Sequence, residues 1–156
     1  MTMDEPGTDK SPQISLKQVW LHPEAGKRLW RIGWHVENPG CHPVQLKAVR
    51  FPHGQFKSDE QRFTPAFRLG HGEGVEFEAN IACDAEPGAI VENAFIIFSA
   101  TWLDQPWRIF VRLRVSVNEK GEPAALTELV TAQQVGFSAA MGSTNRYRDD
   151  SGAQNR

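Results

Sequence analysis

The sequence predicts an all-β domain, an immunoglobulin-like antiparallel β-sandwich of about seven strands. Apolar residues recur at every second position in several runs, and turn-forming residues interrupt these runs at short intervals. The runs follow one another without the helical periodicity that a parallel α/β sheet would require. Because side chains two positions apart lie on the same face of a strand, each run has one face for a core.

The expected strands, named A to G, have clear boundaries in the sequence. Strand B shows the pattern most simply, since Trp34 and Val36 alternate with His35 and Glu37. Glycine, proline and asparagine, which favour turns, lie between successive strands. The seven segments are 13–21, 28–37, 43–51, 61–69, 74–83, 91–103 and 106–118.

Residues 123–136 allow two interpretations. Pro123 at a first helical position and Gly136 at an end favour one short C-terminal helix, with Leu126 and Leu129 on one side. The Thr and Val content of the segment favours extended chain instead. We expect the helix.

The chain of 156 residues is the length of one domain. We expect residues 13–137 to form it, with residues 1–12 and 138–156 as disordered tails because they lack apolar runs. The formal net charge of −2 provides no general attraction to nucleic acid. The longest uncharged apolar stretch, residues 94–103, is about half of the ~20 residues that a transmembrane helix needs, so no membrane role is expected.

The start of the chain and its cysteines bear on location. Asp4 and Glu5 stand where a secretory signal would be basic and then apolar, so we expect a cytoplasmic protein. Two cysteines, Cys41 and Cys83, are too few for a disulfide framework, and we expect free thiols.

Two stretches resemble a recurring family pattern. WHVENPG at 34–40, followed by PVQLKAV at 43–49, and LGHGEGVEFEANI at 69–81 are similar to the turns of bacterial immunoglobulin-like modules of the CARDB and water-stress (WHy) types. The resemblance covers roughly residues 28–118. It implies a non-catalytic role in adhesion, assembly or scaffolding.

The hairpin of strands F and G has an unusual outer face. We expect its tip at Asp104 and Gln105. The core-facing residues would then alternate with an outer set, and a solvent-facing surface is normally polar. Here the set combines apolar side chains with arginines, the composition of protein interfaces. Its members are Phe95, Ile97, Phe110, Arg108, Arg112 and Arg114.

Two interpretations of this face are open. It binds a protein partner, or the C-terminal segment 123–137 folds over it and makes it part of the core. The first makes the protein a non-enzymatic interaction module with an unidentified partner, and self-association along an edge strand is a further possibility.

A metal site is the alternative function. The B–C, D–E and F–G loops meet at one pole of such a sandwich, and they carry Cys41, His42, His71 and Asp104. These side chains are ligands for zinc or copper. No two of them have the close spacing of a metal motif. We find no catalytic motif, so we expect neither an enzyme nor a cofactor.

Overall fold

The computed structural model describes residues 9–26 and 28–136. Every regular element in these residues is a β-strand. The strands are β1 (Ser15–Pro23), β2 (Leu29–Glu37), β3 (Val44–His53), β4 (Phe56–Leu69), β5 (Gly74–Ala82), β6 (Ile90–Trp102), β7 (Gln105–Val117) and β8 (Pro123–Gln134).

All eight strands belong to one antiparallel sheet with the order β1-β2-β5-β4-β3-β6-β7-β8. The sheet curls until its two end strands meet. Gln18 of β1 donates to the carbonyl of Pro123 at 3.2 Å and accepts from the amide of Ala125 at 2.8 Å. The Thr127 hydroxyl donates to the carbonyl of Leu16 at 2.9 Å. These side-chain contacts nearly close the sheet into a barrel.

A second weak junction lies between β4 and β5. Lys57 pairs with Ala82, and the register between these two strands extends no further. By contrast, β4 pairs with β3 along most of its length. The pairing runs from Phe56 opposite His53 to Leu69 opposite Val44, and the register shifts at two places. β1, β2 and β5 are therefore joined to the rest of the sheet only by this short pairing and by the contact between β1 and β8.

The core confirms the alternation that the sequence predicts. Trp34, Phe98 and Val111 are at most 1% exposed, although they lie on three different strands. The Trp34 ring contacts Phe51 and Phe56, with centroids 5.7 and 6.2 Å apart. Burying such side chains contributes roughly 1.5–3 kcal/mol each, so this cluster is a main source of stability.

The expected C-terminal helix is wrong. Residues 123–134 form β8, which pairs with β7 from Val117–Pro123 to Trp107–Gln134. The strand satisfies its backbone on the open edge of β7, and this tertiary pairing outweighs a weak local helix signal. The described residues consequently contain eight strands instead of about seven, and the sheet is barrel-like rather than a clear immunoglobulin-like sandwich.

The expected tails lie largely outside the described residues, since these exclude 1–8 and 137–156. Residues 9–12 have no regular structure, and the Asp9 carboxylate accepts the amide of Cys41 at 2.8 Å. In the described part of the chain, no helix is long and apolar enough to cross a membrane.

Asn38 joins two loops at one end of the sheet. It is 1% exposed, and its side-chain amide donates to the carbonyls of His42 and Leu69, both at 2.9 Å. Its side-chain oxygen accepts the amide of Gly40 at 2.8 Å. The β2–β3 loop is thereby fixed to the end of β4, which places the β2–β3 and β4–β5 loops side by side.

Candidate interaction surface on β6, β7 and β8

The β6–β7 hairpin turns at Leu103 and Asp104, one residue earlier than expected. Both residues have positive φ, 50° and 62°, as a two-residue type I′ turn requires. Trp102 pairs with Gln105, and Ala100 pairs with Trp107. Because the pairing moves by two positions relative to our expectation, every side chain stays on its expected face.

The outer face of this hairpin carries the predicted residues. Ile97 lies opposite Phe110, and Phe95 lies opposite Arg112. Ile97 and Phe110 are half-buried, whereas Phe95 is 36% exposed. The two strands therefore bring apolar and arginine side chains into one surface.

Strand β8 lies beside this face and does not cover it. Thr131 pairs with Phe110, Leu129 with Arg112, and Leu126 with Arg114. Leu129 is 46% exposed and Leu126 is 65% exposed. The segment that one of the two interpretations placed over the face instead widens it by a third strand. We call the surface the arginine–apolar face; it comprises Phe95, Ile97, Arg108, Phe110, Arg112, Arg114, Leu126 and Leu129.

Two carboxylates lie at the border of the arginine–apolar face. Arg112 Nε is 3.7 Å from Glu128 Oε1, and Arg114 Nε is 3.8 Å from Glu92 Oε2. These distances exceed a good hydrogen bond, and partly exposed pairs of this kind contribute about 0–1 kcal/mol. Within the described residues, Arg108 has no ion pair. Arg50 of β3 adds a further exposed positive charge opposite Ile97.

Sequence reasoning missed Leu126 and Leu129 as members of the face. As part of a segment folded over the hairpin they would have packed against its outer face, and only their pairing with β7 makes them members of that face. The run Leu129–Thr131 contains strand-forming residues and could have indicated a strand. Pro123 and Gly136, which favour the two ends of a helix, led to the opposite prediction.

The predicted metal ligands lie in the expected loops but make other contacts. His71 Nδ1 is 2.9 Å from the carbonyl oxygen of Gly40. The His42 ring packs edge-on against Trp102, with centroids 5.9 Å apart. Cys41 is exposed in the β2–β3 loop, and Asp104 is in the β6–β7 turn. Across residues 9–26 and 28–136, no three His, Cys, Asp or Glu side chains are grouped to hold a metal ion.

The two thiols are free and lie in different environments. Cys41 is exposed, while Cys83 is buried and directly follows β5. Burial raises the pKa of the Cys83 thiol, and the Asp84 charge adds to this; a backbone hydrogen bond from Ala85 and the Arg28 charge lower it. A buried protonated thiol is a poor nucleophile.

Comparison with known proteins provides little information on this surface. No protein-family model matches the chain, and no curated protein matches it. Among solved structures, the chain is similar to one described as "Putative ApaA Protein from Bordetella pertussis", with 16% identity and a TM-score of 0.28. The alignment covers 78% of this chain and 89% of that one. A likeness at this level supports no functional argument.

Proposed function

We propose that this protein is a non-enzymatic interaction module that binds a protein partner through the arginine–apolar face. The observation that supports the proposal is the position of β8 beside β7, which leaves Leu126, Leu129 and Phe95 exposed next to three arginines. Arginine interleaved with aromatic and aliphatic side chains is the composition of protein-binding surfaces.

The charges of the face indicate the chemistry of the partner. Arg108, Arg112 and Arg114 lie on the same face of one strand, and Glu92 and Glu128 neutralise part of their charge. The remaining charge is positive. A complementary surface would therefore present carboxylates around an apolar centre, and added salt would weaken the complex.

The apolar members provide most of the binding energy in this proposal. A leucine that passes from exposed to buried contributes roughly 1.5–3 kcal/mol. Leu126 has the largest exposed fraction on the face, so a partner that covers it removes the most apolar surface from water. Phe110 lies between Ile97 and Thr131 and is already half-buried, so its burial by a partner contributes less.

The test is quantitative capture of proteins from an extract of the source organism by immobilised wild-type protein, Phe110→Asp and Leu126→Asp. We expect both variants to lose the captured protein and to remain folded by circular dichroism. Leu126→Asp is the safer variant, because substitution at an exposed position changes stability by only about 0.5 kcal/mol.

Leu103→Asp is the matched control. Leu103 is 52% exposed in the β6–β7 turn, at the opposite end of β7 from Arg114, with which Leu126 pairs, so this variant makes the same substitution outside the proposed contact. It should capture the partner as the wild type does. The proposal is wrong if wild-type protein captures nothing reproducibly, or if all three variants capture equally.

We also propose that the sheet is immunoglobulin-like. Strand neighbours β1-β2-β5 and β3-β6-β7 match the A-B-E and C-F-G orders of immunoglobulin-like sandwiches, which supports that assignment of the fold. The resemblance to CARDB and water-stress modules, whose roles are non-catalytic, agrees with a binding function and stays a prediction. A cytoplasmic location also stays a prediction.

A further inference from the structure

The outer edge of β8 is satisfied at one end only. Near its start, the Gln18 side chain bonds both the Pro123 carbonyl and the Ala125 amide, and Thr127 bonds β1. Beyond Thr127 no strand of the described residues pairs with this edge. The other edge of β8 remains paired with β7 as far as Gln134.

The backbone groups on the open edge can be identified. Val135 donates its amide to the carbonyl of Pro106 at 2.9 Å, directly after the pair Gln134–Trp107. In an antiparallel ladder, hydrogen-bonded and non-hydrogen-bonded positions alternate. Residues 129, 131, 133 and 135 therefore bond β7, and the amides and carbonyls of Val130, Ala132 and Gln134 point away from it.

The sequence of this edge lacks the usual protection. Natural edge strands carry a charge, a proline or a bulge that prevents pairing with another chain. The one bulge in β8 lies before Leu129, between the positions that face Arg112 and Leu113. The stretch that follows, LVTAQQ at 129–134, is uncharged, has no proline and includes the strand formers Val130 and Thr131.

We infer that a second copy of this chain pairs with residues 129–134 of β8 and with Val135, which follows the strand, in antiparallel register around a two-fold axis at Ala132. Val130 of each copy then bonds Gln134 of the other, and Ala132 bonds its own counterpart. This register uses all three outward positions and forms about six hydrogen bonds, because each hydrogen-bonded pair exchanges two.

The same register also pairs exposed side chains. Leu129 lies opposite Val135 of the second copy, at both ends of the two-fold contact. These side chains are 46% and 37% exposed in the single chain, and each would cover the other. Thr131 lies opposite Gln133 of the second copy. The two arginine–apolar faces would then be continuous across a joined sheet.

The test is a charge swap at this last pair, with mass measured by light scattering over a wide range of protein concentrations. Thr131→Lys with Gln133→Lys places like charges opposite each other twice. We expect its dimer dissociation constant to rise by about tenfold. The matched variant, Thr131→Lys with Gln133→Glu, places opposite charges there and should dimerise at least as tightly as the wild type.

Either of two results overturns the inference. One is a wild-type protein that is monomeric at every concentration. The other is a double-lysine variant that dimerises like the lysine–glutamate variant, since both differ from the wild type at the same positions. The inference is independent of the proposed partner. A wild-type protein that captures a partner but stays monomeric refutes only the dimer, and a wild-type dimer that captures no partner refutes only the proposed function.

Discussion

Replacing Asn38 with alanine should lower the free energy of unfolding by more than the loss of one hydrogen bond would. The substitution removes two donated hydrogen bonds, to the carbonyls of His42 and Leu69, and one accepted from Gly40. Each net hydrogen bond contributes about 1 kcal/mol, and the contact with Leu69 is itself buried. A carbonyl left unsatisfied there adds a further cost, so we expect a loss of about 3–4 kcal/mol.

Urea denaturation followed by tryptophan fluorescence measures this loss. The slope with denaturant should not change, since the same surface is exposed on unfolding. Asn80→Ala is the control, because Asn80 is exposed on β5, and its effect should stay within about 0.5 kcal/mol. A loss below about 1 kcal/mol for Asn38→Ala would refute the reasoning, since water would then be replacing the three bonds.

Two further predictions concern the β6–β7 turn and the buried thiol. Leu103→Asn combined with Asp104→Gly supplies the residues that a type I′ turn prefers. The protein should gain about 1 kcal/mol of stability, and its melting temperature should rise by a few degrees. An unchanged or lower melting temperature would contradict the positive φ angles of this turn. The pKa of the Cys83 thiol is raised in the folded protein. Below the pKa that this thiol has in the unfolded chain, its contribution to stability is therefore complete. The contribution is lost as the pH rises through the pKa of the folded protein, because the unfolded chain loses its proton first. Unfolding measured at successive alkaline pH values should show a steeper decline for the wild type than for Cys83→Ala, and identical slopes would contradict this.

The alternation of apolar residues determined the strands and their buried faces. Trp34, Phe98 and Val111 are buried as the period of two requires, because only an extended chain places such residues on one side. The sequence also predicted which hairpin residues lie on the outer face. The predicted strand register was wrong by two residues, and a shift of two leaves each side chain on its own face.

The structure of residues 123–134 was decided by tertiary contacts. Pro123, Gly136 and the leucine spacing are compatible with a short helix, and local sequence carries no information about a free strand edge elsewhere in the chain. The edge of β7 offered unpaired amides and carbonyls, and pairing with them satisfied more of the backbone than a short isolated helix would. This same pairing turned Leu126 and Leu129 outward. Whether the arginine–apolar face is exposed therefore depended on a long-range contact, which residue periodicity alone does not encode.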